Sequence, residues 1–156
     1  MVQIPHNDDY RDMLLALRNA GVEYMIIGGY ALAVHGFLRA TKDIDIWVHP
    51  TEDNAERLWT ALVDFGAPLD HISPSDFAKP GIVLQIGVAP VRIDLITKVD
   101  GVDFAAAWEE KIESELFEVP TQVIGRDSFI SNKLASGREQ DLRDVEMIRK
   151  LEDEHD

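Results

Sequence analysis

Asp43 and Asp45 stand two residues apart in Asp43-Ile44-Asp45-Ile46-Trp47-Val48, where every second residue is aliphatic. Successive strand side chains point to opposite faces, so Asp43, Asp45 and Trp47 share one face while Ile44, Ile46 and Val48 share the other. Two acids aimed the same way cannot both be buried as anions without a counter-charge. Hard oxygen ligands at this spacing suit Mg²⁺ or Mn²⁺ rather than zinc. A third acid, Asp94, follows about fifty residues later in the strand-like run Val91 to Thr97, where it shares a face with Arg92 and Ile96. On a neighbouring strand it would complete a site for two metals roughly 3.5–4 Å apart, one activating an attacking oxygen and one holding a leaving phosphate. Phosphoryl or nucleotidyl transfer is the chemistry that uses such a site.

Gly28-Gly29 precedes Asp43 by thirteen residues and fits the same chemistry. A strand that ends in Gly-Gly and enters a helix leaves backbone N–H groups free at a positive helix terminus, with no Cβ in the way of a triphosphate. Taken alone, the pair reads as a turn; the acids downstream give it a ligand. Arg39 and Lys42 flank the approach to Asp43 and could grip phosphate oxygens, the alternative being solvated loop charges. Arg92 could hold Asp94 in place, meet the triphosphate, or form a structural ion pair.

The elements that must position these residues are legible as patterns. Tyr24 to Ile27 is a short buried strand feeding the Gly-Gly turn, and a helix follows over about Tyr30 to Val34. A first helix starts near Asn7 or Asp8, buries Leu14, Leu15 and Leu17, and stops at Gly21. After the Asp-x-Asp strand, Pro50 and the polar residues 51–54 open a crossover helix that buries Leu58, Ala61, Leu62 and Phe65 and ends at Gly66. Residues 67–80 read as a loop with one helical turn at Ser75 to Ala78. Gly81 to Ile86 and Val91 to Thr97 form a hairpin through Gly87 to Pro90. A short helix is expected at Phe104 to Trp108, then weak strands near Leu116 to Val119 and Gln122 to Ile124, separated by Pro120. Asp127 or Ser128 caps a helix through Leu134 or Ala135, Ser136-Gly137 breaks it, and a charged helix runs from about Glu139 to Leu151.

Composition sets the outer bounds. The chain has 156 residues, 46% hydrophobic and 28% charged, which fits one folded domain over 1–156 and excludes disordered and fibrous classes. Fifteen Lys plus Arg against 29 Asp plus Glu give a net charge of −14, leaving no broad basic surface for nucleic acid. The absence of cysteine removes disulfide frameworks, thiolate zinc sites and cysteine nucleophiles. With no signal-peptide pattern and no apolar run near the roughly 20 residues of a membrane span, a cytoplasmic location is expected, with no membrane association.

Gly28-Gly29 and Asp43-x-Asp45 resemble the signature of the nucleotidyltransferase fold superfamily related to DNA polymerase beta: a glycine followed by Gly or Ser, a spacer, then Asp-x-Asp. More narrowly, IIGGYALAVHGFLRATKDIDIWV, then RIDLIT, then NKLASGREQDLRDV is similar to the small stand-alone members near the AbiEii toxin family, over residues 22–148. The resemblance implies that Asp43 and Asp45 bind the metals, that Asp94 is the third carboxylate and the base, and that Gly28 and Gly29 hold the triphosphate. It also implies that Lys133 and Asp141 line the nucleotide site from a helical C-terminal segment. Gly29 stands where many members carry Ser, so a hydroxyl contact to phosphate is missing at that position. At 156 residues the chain is expected to lack the appended helical or RNA-binding domains by which larger members of the resembled family choose their acceptor.

The expected fold is therefore α/β (α+β), a mixed, mostly antiparallel sheet flanked by helices, with a core over about 22–125 and a short helical segment over about 126–152. The expected activity is Mg²⁺- or Mn²⁺-dependent transfer of NMP from an NTP to a hydroxyl of RNA or tRNA, a protein or a small molecule, releasing pyrophosphate. A toxin–antitoxin role with a cognate antitoxin or partner protein follows from the likeness alone. The rival is a nucleotide-binding or regulatory module without chemistry that acts with a partner. His35 is expected to be packed and hydrogen-bonded; His6, His49, His71 and His155 are assigned to the surface, and Trp59 and Trp108 to the core. Trp47 would either stack on a base or pack in the core.

Overall fold

Tyr24–Ile27 is buried at all four residues, and it occupies an inner position of a six-stranded sheet because a strand covered on both faces needs an apolar residue at every position. The computed structural model describes residues 4, 6–39, 41, 43–88 and 91–155. In chain order these form α1 (Asp8–Asn19), β1 (Tyr24–Ile27), α2 (Gly28–Val34), β2 (Asp43–Val48), α3 (Glu52–Phe65), a 3-10 helix (Pro74–Ala78), β3 (Val83–Val88), β4 (Val91–Ile96), α4 (Phe104–Glu109), β5 (Ile112–Leu116), β6 (Val119–Val123), α5 (Arg126–Ser136) and α6 (Glu139–His155). The strand order is β3-β4-β2-β1-β6-β5. Neighbours β3–β4, β2–β1 and β6–β5 are antiparallel, whereas β4–β2 and β1–β6 are parallel. The sheet is thus mixed and mostly antiparallel, as the sequence implies.

Local chemistry sets the boundaries. Asn7 caps α1 by accepting from the Tyr10 N–H at 3.0 Å, and Tyr10, Met13, Leu14 and Leu17 form its buried stripe, while Leu15 faces solvent. Thr51 caps α3 through the Asn54 N–H at 3.2 Å, and Gly66 ends that helix with a left-handed φ of 90°. Asn54, 1% exposed, accepts from the Glu23 N–H and donates to the Glu23 and His49 carbonyls, tying the start of α3 to β1 and β2. The crossover through α3 leads into β3 at the sheet edge, and the β3–β4 hairpin then returns the chain parallel to β2, which sets Asp94 beside Asp45.

Several expectations are corrected. Helix α2 begins at Gly28 itself rather than at Tyr30, because the left-handed turn at that glycine leads directly from strand to helix. Helix α5 begins after Gly125, which offers no side-chain cap; Ser128 lies inside it and donates instead to Glu110 at 3.2 Å. Pro120 does not separate two strands but lies within β6, paired with Glu115 of β5. Registered pairing of β6 with β1 is confined to Ile26↔Val123, so the absent N–H at Pro120 interrupts no ladder on that side. The turn of this hairpin holds Phe117 and Glu118 at φ of 51° and 69°. Its compensation is the Phe117 ring, packed edge-on to Tyr10 and Tyr30 at 5.4 and 5.3 Å. Trp59 and Trp108 are half-buried rather than fully core. His49 is also half-buried, stacked on Phe104 at 4.5 Å and paired with Glu23 at 3.2 Å. Among the described residues no helix is long and apolar enough to cross a membrane.

Candidate active site

Strands β2 and β4 run parallel in a register that sets Asp43 opposite Arg92 and Asp45 opposite Asp94. Side chains opposite one another on adjacent strands lie on the same face, so one register brings Asp94 to two acids about fifty residues earlier in the chain. One carboxylate oxygen from each of Asp43, Asp45 and Asp94 lies within 4.8 Å of the others. Asp43 and Asp45 are partly exposed, while Asp94 is 6% exposed. Behind them Ile44, Ile46 and Val48 are buried, fixing the strand by its opposite face.

The glycine pair closes the site from β1. Gly28 has a φ of 69°, and a Cβ there would lie 2.5 Å from Asp45 Oδ2. Backbone conformation and space therefore both demand glycine. Gly28→Ala is expected to cost at least about 1–2 kcal/mol and to push the Asp45 carboxylate out of the cluster. Thermal melting and Mn²⁺ affinity, measured together, would show it; an unchanged Mn²⁺ affinity would refute the steric reading. At Gly29 a Cβ would meet Thr41 Oγ1 at 2.9 Å and approach Arg39 Nη1 at 3.4 Å. A serine would not fit there without a shift, and the Thr41 hydroxyl already stands beside that position, donating to the Asp43 carbonyl at 3.1 Å.

Arg92 binds two of the three acids. Its Nη2 donates to Asp43 Oδ2 at 2.7 Å and to Asp94 Oδ2 at 3.1 Å. Its Nε stands 3.1 Å from Asp94 Oδ1 without hydrogen-bond alignment, so that buried oxygen has no donor. A buried carboxylate oxygen without an aligned hydrogen-bond donor, in a set of oxygen ligands with no thiolate, fits a small hard divalent cation. Burial, then the charges of Asp43 and Asp94, push the Asp45 carboxyl up to about 7, against the opposing pull of Lys133. Burial also raises Asp94, with Arg92 opposing. Tyr30, just after the glycines, is pushed up to about 12 by burial, with smaller contributions from Tyr10 and Asp43.

A cleft of about 190 Å³ is lined by Gly28 and Asp45 and by Asn132, Lys133, Ser136 and Arg138 of the helical segment, together with Lys98 and Asp100. Of the three acids, Asp45 lines this cleft, whereas a larger hollow of about 380 Å³ beside Trp47, His49 and Phe104 is lined by none of them, so the chemistry points to the smaller cleft. Lys133 is 7% exposed and pairs with Asp141 at 3.1 Å and Asp144 at 3.2 Å. Asp144 also takes a forked pair of bonds from Arg39, at 2.9 and 3.1 Å. Burial alone would raise Asp141 and Asp144. Hydrogen bonds from Arg138 and Lys133 to the first, and from Arg39 and Gln140 to the second, outweigh it and hold both below the usual carboxylate range.

Residues 9–153 match the model of the family DUF6036, described as a nucleotidyltransferase of unknown function. The chain belongs to this nucleotidyltransferase family. No curated protein matches it. Solved structures share its fold at low identity. A candidate nucleotidyltransferase from Thermotoga maritima superposes with a TM-score of 0.59 at 16% identity, over 93% of this chain and 91% of that one. The antibiotic-resistance factor ANT(2'')-Ia gives 0.62 at 14%, over 90% and 80%. The lincosamide antibiotic adenylyltransferase LnuA, with lincomycin bound, gives 0.56 at 14%, over 94% and 98%.

In this nucleotidyltransferase family member, Asp43, Asp45, Asp94, Gly28 and Gly29 meet in one place, with Arg39 beside Gly29 and Lys133 across the cleft. Lys42 lies outside the described residues. Asp141, 2% exposed, stands behind the cleft wall, holding Lys133 and, at 2.9 Å, Arg138. His35 Nε2 donates to the Ile124 carbonyl at 2.9 Å, and burial lowers its pKa, in keeping with a packed histidine. Trp47, 1% exposed, is core, edge-on to Phe104. Sequence reasoning missed Asp144, Lys98, Asp100, Asn132 and Ser136. Only Asp144 had a signal: it follows Asp141 by three residues and so shares its helix face.

Proposed function

We propose that this protein transfers a nucleoside monophosphate from a nucleoside triphosphate to a hydroxyl acceptor, with pyrophosphate as the leaving group. The observation that carries the reading is the convergence of the Asp43, Asp45 and Asp94 oxygens within 4.8 Å, with Asp45 also lining a cleft shared with Lys133 and Arg138. Carboxylates attract divalent cations and basic side chains attract polyphosphate, and a metal–NTP complex needs both in one site. Asp43, Asp45 and Asp94 would hold Mg²⁺ or Mn²⁺. Those ions, when bound, lower the pKa of the acceptor hydroxyl and neutralise charge developing on the phosphates.

The chain's own residues do the rest. Backbone N–H groups at Gly28 and Gly29, with Arg39 and Lys42, bind the β- and γ-phosphates, while Lys133 and Arg138 face the polyphosphate from the helices. Asp94, made more basic by burial, accepts the proton of the acceptor hydroxyl. The acceptor oxygen forms its bond to the α-phosphorus as the bond from that phosphorus to the bridging oxygen breaks, and the electron pair leaves with pyrophosphate.

A small hydroxyl-bearing acceptor is favoured. LnuA, an adenylyltransferase of lincosamides, is matched over 98% of its chain, so this fold needs no further domain for such an acceptor. A net charge of −14 weighs against an extended RNA surface. A toxin role with a cognate antitoxin, as the AbiEii likeness suggests, would instead place the acceptor in RNA or protein.

Incubation with Mg²⁺ or Mn²⁺, each α-labelled NTP in turn and a cell extract tests the reading. Label should move to one fraction, with pyrophosphate released, and the Asp43→Asn, Asp45→Asn double variant should lose at least about 10²–10³-fold of that turnover. Metal-dependent NTP binding without pyrophosphate release would instead favour a nucleotide-binding module that acts with a partner.

A further inference from the structure

Arg92 occupies the edge of the acid cluster that joins Asp43 to Asp94. A single nitrogen, Nη2, lies between Asp43 Oδ2 at 2.7 Å and Asp94 Oδ2 at 3.1 Å, and Nε lies 3.1 Å from the donorless Asp94 Oδ1. Three clustered carboxylates repel one another, and one guanidinium offsets only part of their charge. The oxygens it binds belong to the set able to hold an ion, and two cations cannot share one oxygen edge without repulsion. The Arg92 side chain is 34% exposed, so it has room to leave.

We propose that Arg92 is the resident counter-cation of the acid cluster, and that a divalent ion enters by displacing it from Asp43 and Asp94. This rests on the nucleotidyltransferase reading and adds to it that metal loading is an exchange of one cation for another. The competing role, a scaffold that holds the two carboxylates in ligating position, makes the opposite prediction. Removing a scaffold weakens metal binding; removing a competing charge strengthens it.

Mn²⁺ titration at pH 8 without nucleotide, followed by electron paramagnetic resonance, separates the two. Arg92→Gln keeps a hydrogen-bond donor and loses the charge, whereas Arg92→Lys keeps the charge and loses the fork. Arg92→Gln is expected to bind Mn²⁺ about tenfold more tightly than wild type, with Arg92→Lys close to wild type, and thermal melts would establish that both are folded. Weaker or unchanged binding by folded Arg92→Gln, with wild type still binding, would overturn the exchange and leave the metal site standing. No Mn²⁺ binding by wild type or by Arg92→Gln would overturn the metal site and the exchange together. The Asp43→Asn, Asp45→Asn variant supplies the background of adventitious Mn²⁺.

Discussion

Asp45→Asn is expected to make the metal-free protein more stable at pH 8 while abolishing nucleotidyl transfer. The Asp45 carboxyl is pushed up to about 7 by burial and by the charges of Asp43 and Asp94, against about 3.9 in an unfolded chain. Between those values the folded state binds more protons than the unfolded one, so stability falls as pH rises through this window. The contribution is harmless below about pH 4 and fully felt above about pH 7, where it costs up to about 4 kcal/mol. Asp94, also raised, acts in the same direction. Asparagine has no charge to bury, so the variant should lack most of this slope and melt higher at pH 8 by several degrees. Mg²⁺ should restore the wild type, by binding only the folded cluster, and leave the variant unmoved. Urea unfolding at pH 5 and pH 8, with and without Mg²⁺, reads all of these. An equal gap between wild type and variant at both pH values would sink the account.

The same residues show which parts of the fold sequence can reveal. The face shared by Asp43 and Asp45 was legible because alternation over six residues leaves a strand no second way to bury Ile44, Ile46 and Val48. The meeting of Asp45 with Asp94 was only half legible. Each strand could be read, but their parallel register depends on how the α3 crossover and the β3–β4 hairpin pack together, and no local pattern encodes that. The hairpin around Pro120 was misread because proline is a strong local signal against a central strand, while its cost depends on whether a neighbour pairs there. The left-handed turn at Phe117 and Glu118 was illegible: neither residue favours positive φ, and its compensation is a contact with Tyr10 and Tyr30, far away in the chain. On α6, Asp141 stands out only through the family likeness and Asp144 not at all, since acids are seldom fully buried unless paired. The partners that bury Asp144, Arg39 in a loop 105 residues earlier and Lys133 on α5, come together only in the tertiary fold.

Asp144 carries the second large effect. It is 1% exposed, accepts both bonds of the Arg39 fork and a 2.8 Å bond from Gln140, and lies 3.2 Å from the Lys133 ammonium. Removing one partner of a buried ionic group leaves the others uncompensated, which typically costs about 3–5 kcal/mol. Asp144→Ala is therefore expected to lower the melting temperature by about 10 °C. It should also raise KM for the NTP, because Arg39 beside Gly29 and Lys133 in the cleft wall lose the anion that fixes them. Asp144→Asn keeps an acceptor for Arg39 and isolates the charge. Its cost follows from the depressed pKa of the native carboxylate: the stability it supplies is present above about 3.9, the unfolded value, and disappears as pH falls through the lower native value. Wild type and Asp144→Asn should then differ most at neutral pH and converge in acid. A double-mutant cycle with Arg39→Gln should give a coupling of at least about 1 kcal/mol. Additive losses would mean that Arg39 and Asp144 act separately, and that the loop before the acids is held by something other than α6.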